Sequence, residues 1–202
     1  AQICVSKLEV LSVDYTWYDD ILDAQSVADW MVGATNNGEL DVLVIYGCFP
    51  QTIYPTANTQ PDGSIAELFI ESEDGDAIIN TADWMFYVDF DELGNRLENG
   101  PGGLQNMMDV PVATMAGYDD LQVTVTDAGR AIAPSLRDFR TDRPFHLDTL
   151  EGEWFEEAAL AHDTTGLLVD PVILRDGIRG RLIPVLQAAL QDDPKGAVTA
   201  EI

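Results

Sequence analysis

Short apolar runs alternate with stretches of helical spacing along this chain, and that alternation is its strongest local signal. Ile3 to Val13 is dense in β-branched and aliphatic residues and predicts a strand. Ile21, Ala24, Ala28 and Met31 recur at three- and four-residue spacing, which puts one apolar stripe on a helix. Asp19 and Asp20 stand near its start, where acidic groups favour the helix dipole, and Asn36-Asn37-Gly38 ends it. Asp41 leads into Val42-Leu43-Val44-Ile45-Tyr46, a continuous run suited to a parallel strand covered on both faces. Gly47-Cys48-Phe49-Pro50 leaves that strand for a polar loop, Thr52 to Gly63. Ser64 then caps a helix over residues 65–70, with Glu67 as the capping-box partner. Gly75-Asp76 turns into Ala77-Ile78-Ile79-Asn80, a second buried strand.

The middle is less regular. Asp89 to Gly103 holds four glycines and many carboxylates and amides, and reads as a surface loop. Leu104 to Asp109 forms one or two helical turns, Gln122 to Thr126 a strand, and Asp127-Ala128-Gly129-Arg130 a turn. Leu150 to Ala161 predicts a helix with Leu150, Trp154, Ala158 and Ala161 on one face. Pro171 to Leu174 and Leu182 to Leu186 are strands, joined through Asp176-Gly177 and Arg179-Gly180-Arg181. Asp192-Asp193-Pro194 opens a final helix. Such alternation predicts an α/β fold, flavodoxin-like and doubly wound, with a mostly parallel sheet and helices on both faces. No repeat or composition shift divides the chain, so residues 1–202 form a single domain.

Composition narrows the function classes. A chain of 202 residues with 46% hydrophobic content can bury a core without a metal or disulfide. Its longest apolar run, Val42 to Tyr46, falls far short of the ~18–20 residues of a membrane span. The 36 acidic residues against 10 basic ones give a net charge of −26. That charge repels phosphate backbones and anionic membranes, which excludes nucleic acid as a partner. Salt or divalent cations would relieve the self-repulsion, so a salt-rich or extracytoplasmic setting fits, and plain solubility explains the charge equally well. The start at Ala1-Gln2 fits a processed secretory chain or a trimmed one. Placed on neighbouring strands, Cys4 and Cys48 would lie over ~10 Å apart, beyond the ~7 Å limit of a bridge, so free thiols are expected.

The segments Asp41-Val-Leu-Val-Ile-Tyr46, Gly75-Asp-Ala-Ile-Ile79 and Pro171-Val-Ile-Leu-Arg-Asp-Gly-Ile-Arg-Gly-Arg-Leu-Ile183 together resemble the class I glutamine amidotransferase-like superfamily, especially its ThuA-like branch. The resemblance implies an amidotransferase-like fold with a nucleophilic cysteine on a tight elbow, of the form Gly-x-Cys-x-Gly, and a late His-Pro-Glu. The matching elbow here, Asn80-Thr81-Ala82-Asp83-Trp84, has neither cysteine nor glycine, and no His-Pro-Glu occurs. The resemblance therefore implies a non-catalytic relative.

Several residues are candidates for chemistry. Cys48 follows a buried strand at the end where open α/β sheets place ligands, and a histidine there would activate it; inert packing is the competing reading. His146, oriented by Asp148 or Glu151, could act as a base or merely anchor its loop. His162, beside Asp163, suits a helix end. Gly47, Thr81, Asp83 and Trp84 are the binding candidates, since a tryptophan beside a carboxylate suits a sugar or other polar ligand. Packing of Trp84, Phe86 and Tyr87 into the core is the alternative. Asp89 to Asn95 partly matches a calcium loop, with carboxylates at positions one and three and glycine at six, which makes Asp89 and Asp91 candidate Ca²⁺ ligands. It lacks an oxygen at five and glutamate at twelve, and a solvated acidic turn explains it as well. The leading expectation is a non-catalytic binding or assembly module for a small polar ligand or a protein partner. The alternatives are a hydrolase or amidotransferase-like enzyme using Cys48 with His146, and a structural subunit of a larger, oligomeric extracellular assembly.

Overall fold

The computed structural model describes residues 1–19, 22–56, 63–115, 117–188 and 194–202. Asp20, Ile21, Asp192, Asp193 and residues 57–62 of the polar loop lie outside the described residues.

The chain opens with a helix, α1 (Gln2–Leu11), where the β-branched run predicts a strand. Its partner is distant in sequence: a Cβ on Gly196 would meet the Ile3 Cβ at 2.9 Å, so α1 and the last helix approach more closely than any side chain there would allow. Lys7 and Glu201 pair across this contact, and Ser135 adds its N–H and hydroxyl to the Glu201 carboxylate at 2.8 and 2.7 Å. The expected helix follows as α2 (Ala24–Ala34), burying Ala24, Val27, Ala28, Met31 and Ala34. Next come β1 (Val42–Tyr46), β2 (Phe49–Pro50) and α3 (Ile65–Ile70). The α3 capping box is complete: the Glu67 N–H donates to Ser64 Oγ at 3.0 Å and the Ser64 N–H to Glu67 Oε2 at 2.8 Å.

After β3 (Ala77–Thr81), the predicted loop at 89–103 contains a hairpin, β4 (Val88–Phe90) and β5 (Arg96–Glu98), and runs into α4 (Gly102–Met107). Past β6 (Leu121–Val125), the predicted turn is a helix, α5 (Asp127–Ile132). Thr126 caps it by accepting the Gly129 N–H at 2.8 Å. β7 (Phe139–Thr141), β8 (Phe145–His146), β9 (Trp154–Ala159), β10 (Ala161–His162), β11 (Leu168–Val169), β12 (Val172–Asp176), β13 (Arg181–Pro184) and α6 (Lys195–Glu201) complete the chain. β9 stands where a helix is predicted. A spacing of four residues falls on one face of a helix and equally on one face of a strand, and pairing with β12 selects the strand.

The sheets overturn the doubly wound, flavodoxin-like arrangement. One sheet has the order β1-β3-β13-β12-β9, parallel only across β1, β3 and β13 and antiparallel beyond. The tight Asp176-Gly177 turn requires this, because a parallel neighbour needs a long crossover. A second sheet, β7-β6-β10-β11-β8, is antiparallel throughout, and a third is β2-β4-β5. The fold is therefore mixed α/β, with parallel pairing in a minority of its ladders. β3 is buried along its whole length: Ile78 enters a core with Phe69, Phe86, Leu104 and Trp154, while Ile79 enters another with Val123, Leu160, Ile183 and Val198. Among the described residues no helix is long and apolar enough to cross a membrane. Cys4 and Cys48 are free thiols, although Cys4 lies on a helix and not on a strand.

Candidate functional site

β1, β3 and β13 run parallel and end together, so the loops that leave them meet at one edge. Tyr46 sits opposite Thr81, and the Gly47 N–H continues the ladder to Thr81 O at 3.2 Å. Asn80, at the end of β3, turns its amide across this edge and donates to Ile45 O at 3.1 Å and Gly47 O at 2.9 Å. From the loop that follows β13 comes Gln187, fully buried, whose Nε2 donates to Asn80 O at 2.8 Å and whose Oε1 accepts the Trp84 N–H at 3.1 Å. The Gln187 N–H and the Thr141 hydroxyl both donate to Asp170 Oδ2, at 2.9 and 2.7 Å. Asn80, Gln187, Asp170 and Thr141 thus form one buried chain of hydrogen bonds that ties three loops to the strand ends.

This network is incomplete and strained. Asn80 Oδ1, Asp170 Oδ1 and the Trp84 indole N–H are buried with no hydrogen-bond partner. Such atoms are rare in native proteins, and each costs about 1–3 kcal/mol. Backbone outliers cluster in the same place: Trp84 has φ 135°, Phe86 φ 64°, Leu186 φ 50° and Ala188 φ 51°. Non-glycine residues with positive φ cost of order 1–3 kcal/mol each and persist where the surroundings over-determine them. Burial pushes the Asp170 carboxyl up to about 8 against the opposing bonds from Thr141 and Gln187 and the charge of Lys195, so it holds a proton at neutral pH. At the mouth, Arg143 Nε lies 3.2 Å from Asp83 Oδ1, an exposed pair worth at most ~1 kcal/mol. The Trp84 ring packs on Tyr87 at 4.9 Å between centroids.

The structure therefore brings Gly47, Thr81, Asp83 and Trp84 to one edge. Gln187, Asp170, Thr141 and Arg143 join them there, and nothing in their local sequence marked them, since each reaches the edge from a distant element.

Cys48 directly follows Gly47 at this edge, and the remaining candidates are on other elements. Burial pushes the Cys48 thiol up, Arg96 opposes this and Asp89 adds to it, so the thiolate that a nucleophile needs is disfavoured. His146 lies on β8 of the antiparallel sheet with its ring 5.6 Å from that of Tyr118. The described surroundings of Cys48 are thus an acid and an arginine, and those of His146 an aromatic pair. Asp89 is fully buried and accepts the Thr56 hydroxyl at 2.9 and 2.7 Å and Asn99 Nδ2 at 3.2 Å. Asp91 instead closes its own turn, taking the Leu93 and Asn95 N–H groups at 2.9 and 2.8 Å. The two carboxylates spend their oxygens on separate partners, and among the described residues no group of three or more His, Cys, Asp or Glu could hold a metal ion. His162 is on β10, not at a helix end, with Nδ1 2.6 Å from Asp163 O.

Comparison of the chain with protein-family models, with curated proteins and with solved structures found no match in any of the three.

Proposed function

We propose that this chain is a non-catalytic binding module that takes a small, uncharged polar ligand, such as a sugar, at the strand ends beside Trp84. One observation carries this reading: Gln187 holds Trp84 in a strained backbone conformation, with its indole N–H buried and unpartnered. Strain held in place together with an unmet donor is what a preorganised site looks like before its ligand arrives. A ligand hydroxyl accepting from that indole would replace no protein hydrogen bond. Asn80 Oδ1 and the proton of Asp170 supply further polar positions along the same network. The raised Cys48 thiol favours binding over nucleophilic catalysis.

The test is the indole N–H spectrum of ¹⁵N-labelled protein, with the Trp84 signal assigned through Trp84→Phe. Titration with a panel of neutral hexoses and N-acetylhexosamines should move that signal saturably for at least one sugar, with millimolar affinity. If no sugar in the panel moves it, the reading fails.

A further inference from the structure

A concave site lies on the antiparallel sheet, and none of its lining residues belongs to the network of Asn80, Gln187 and Asp170. Here β8 and β11 pair with His146 opposite Leu168, and an open cavity of about 380 Å³ forms against them. Its wall includes Tyr118, His146, Asp148, Asp163, Leu121 and Leu167. The Tyr118 and His146 rings stand at 47° to each other, which presents one aromatic corner to the cavity. Leu167 is 47% exposed and adds an apolar surface facing solvent.

Charge decides what the cavity can take. No lysine or arginine lines it. Asp163 is only 7% exposed, and its described partners are all neutral: the Thr165 hydroxyl at 2.8 and 2.9 Å and the Leu168 N–H at 3.2 Å. Burial alone would push this carboxyl up. The hydrogen bonds from Thr165, Leu168 and Gly166 outweigh burial and hold it below the usual carboxylate range, so it is an anion at neutral pH. Asp148 adds a second, exposed carboxylate at the rim. Neither is among the ion pairs of the described residues. A buried anion without a counter-ion, opening onto a cavity with an aromatic corner and apolar walls, is complementary to one ligand class. The net charge of −26 strengthens this by concentrating cations at the surface.

We propose that this cavity binds a small organic cation, an ammonium group carrying short apolar substituents. The ammonium would lie against the Tyr118 face, where the ring quadrupole attracts it, within reach of the Asp163 and Asp148 charges. Its substituents would rest on Leu121 and Leu167. The volume falls in the range of ~300–1,000 Å³ typical of small-molecule sites. A bare metal ion would make no use of the aromatic and leucine surface, and an anion would be repelled.

Choline and 3,3-dimethylbutan-1-ol, its uncharged carbon isostere, separate charge from shape. Titrated into the full chain and followed by NMR, choline should shift the His146 ring resonances saturably. The isostere should bind at least about tenfold more weakly, and added salt should weaken choline. Asp148→Asn and Tyr118→Leu should each reduce choline affinity by about tenfold. The proposal is overturned if choline does not saturate, if the isostere binds as well, or if both substitutions leave the affinity intact. Asp148 is exposed and Tyr118 is 37% exposed, so neither change threatens folding.

Discussion

Asp89 and Asp170 are both buried carboxylates, 0% and 1% exposed, yet their surroundings treat them differently. Around Asp89, in the small β2-β4-β5 sheet, both oxygens are in use, held by Thr56 and Asn99 with Gln51 further off at 3.4 Å. Around Asp170, Oδ2 takes two donors and Oδ1 takes none, and the nearby backbone at Trp84, Phe86, Leu186 and Ala188 is strained. In the stretch 88–98 that forms the Asp89 hairpin, the only positive φ belongs to a glycine, Gly94. The first region closes its hydrogen bonds for stability; the second leaves them open. Departures from local consistency of this kind are expected at functional sites, which is why the proposed binding site is placed at this strand edge.

Three experiments press on this contrast, from the largest effect to the smallest. Asp170 has a native value of about 8, against about 3.9 for an unfolded aspartate. The native state therefore keeps a proton that the unfolded chain loses. Its stabilising contribution is full below about pH 4, declines as pH rises, and levels off above about pH 8. Between about pH 5 and pH 8 this should remove roughly 3–4 kcal/mol, at up to ~1.4 kcal/mol per unit. Asp170→Asn should abolish that slope in urea unfolding measured at both ends; a slope equal to that of the wild type would break the comparison. Asp89→Ala removes the fully buried acceptor of the Thr56 and Asn99 side chains and should cost about 3 kcal/mol in the same measurement at neutral pH. A cost under about 1 kcal/mol would mean that this region is no better closed than the other. Last, Ala188→Gly should relieve a left-handed residue and stabilise by about 0.5 kcal/mol, the relief exceeding the entropy that glycine adds to the unfolded chain. A lower melting temperature would show that the strain is not where the backbone places it.

What the sequence makes legible is local. The capping box at Ser64 and Glu67, the runs at 42–46 and 77–80, and the turn at Asp176-Gly177 each depend on neighbours a few residues away, and each forms as expected, the second run extending one residue further to Thr81. α1 is missed because its helix is stabilised by close approach to Gly196, at the other end of the chain. β9 is missed because its local spacing also fits a helix, and only the ladder with β12, which carries a bulge at Ile173/Leu174, decides for a strand. The overall topology fails for the same reason: which strand lies beside which is a long-range fact. The site divides along the same line. Thr81, Asp83 and Trp84 stand at the place matching the elbow of the resembled family and Gly47 at a strand end, whereas Gln187, Asp170 and Thr141 arrive from separate elements and meet them only after folding.

β3 carries one more consequence. Ile78 and Ile79 are adjacent in the chain and serve opposite interiors. A shift of the peptide between them therefore disturbs the packing on both sides at once. The proposed site begins one residue further on, at Asn80, so a ligand bound there would brace a strand that both interiors share.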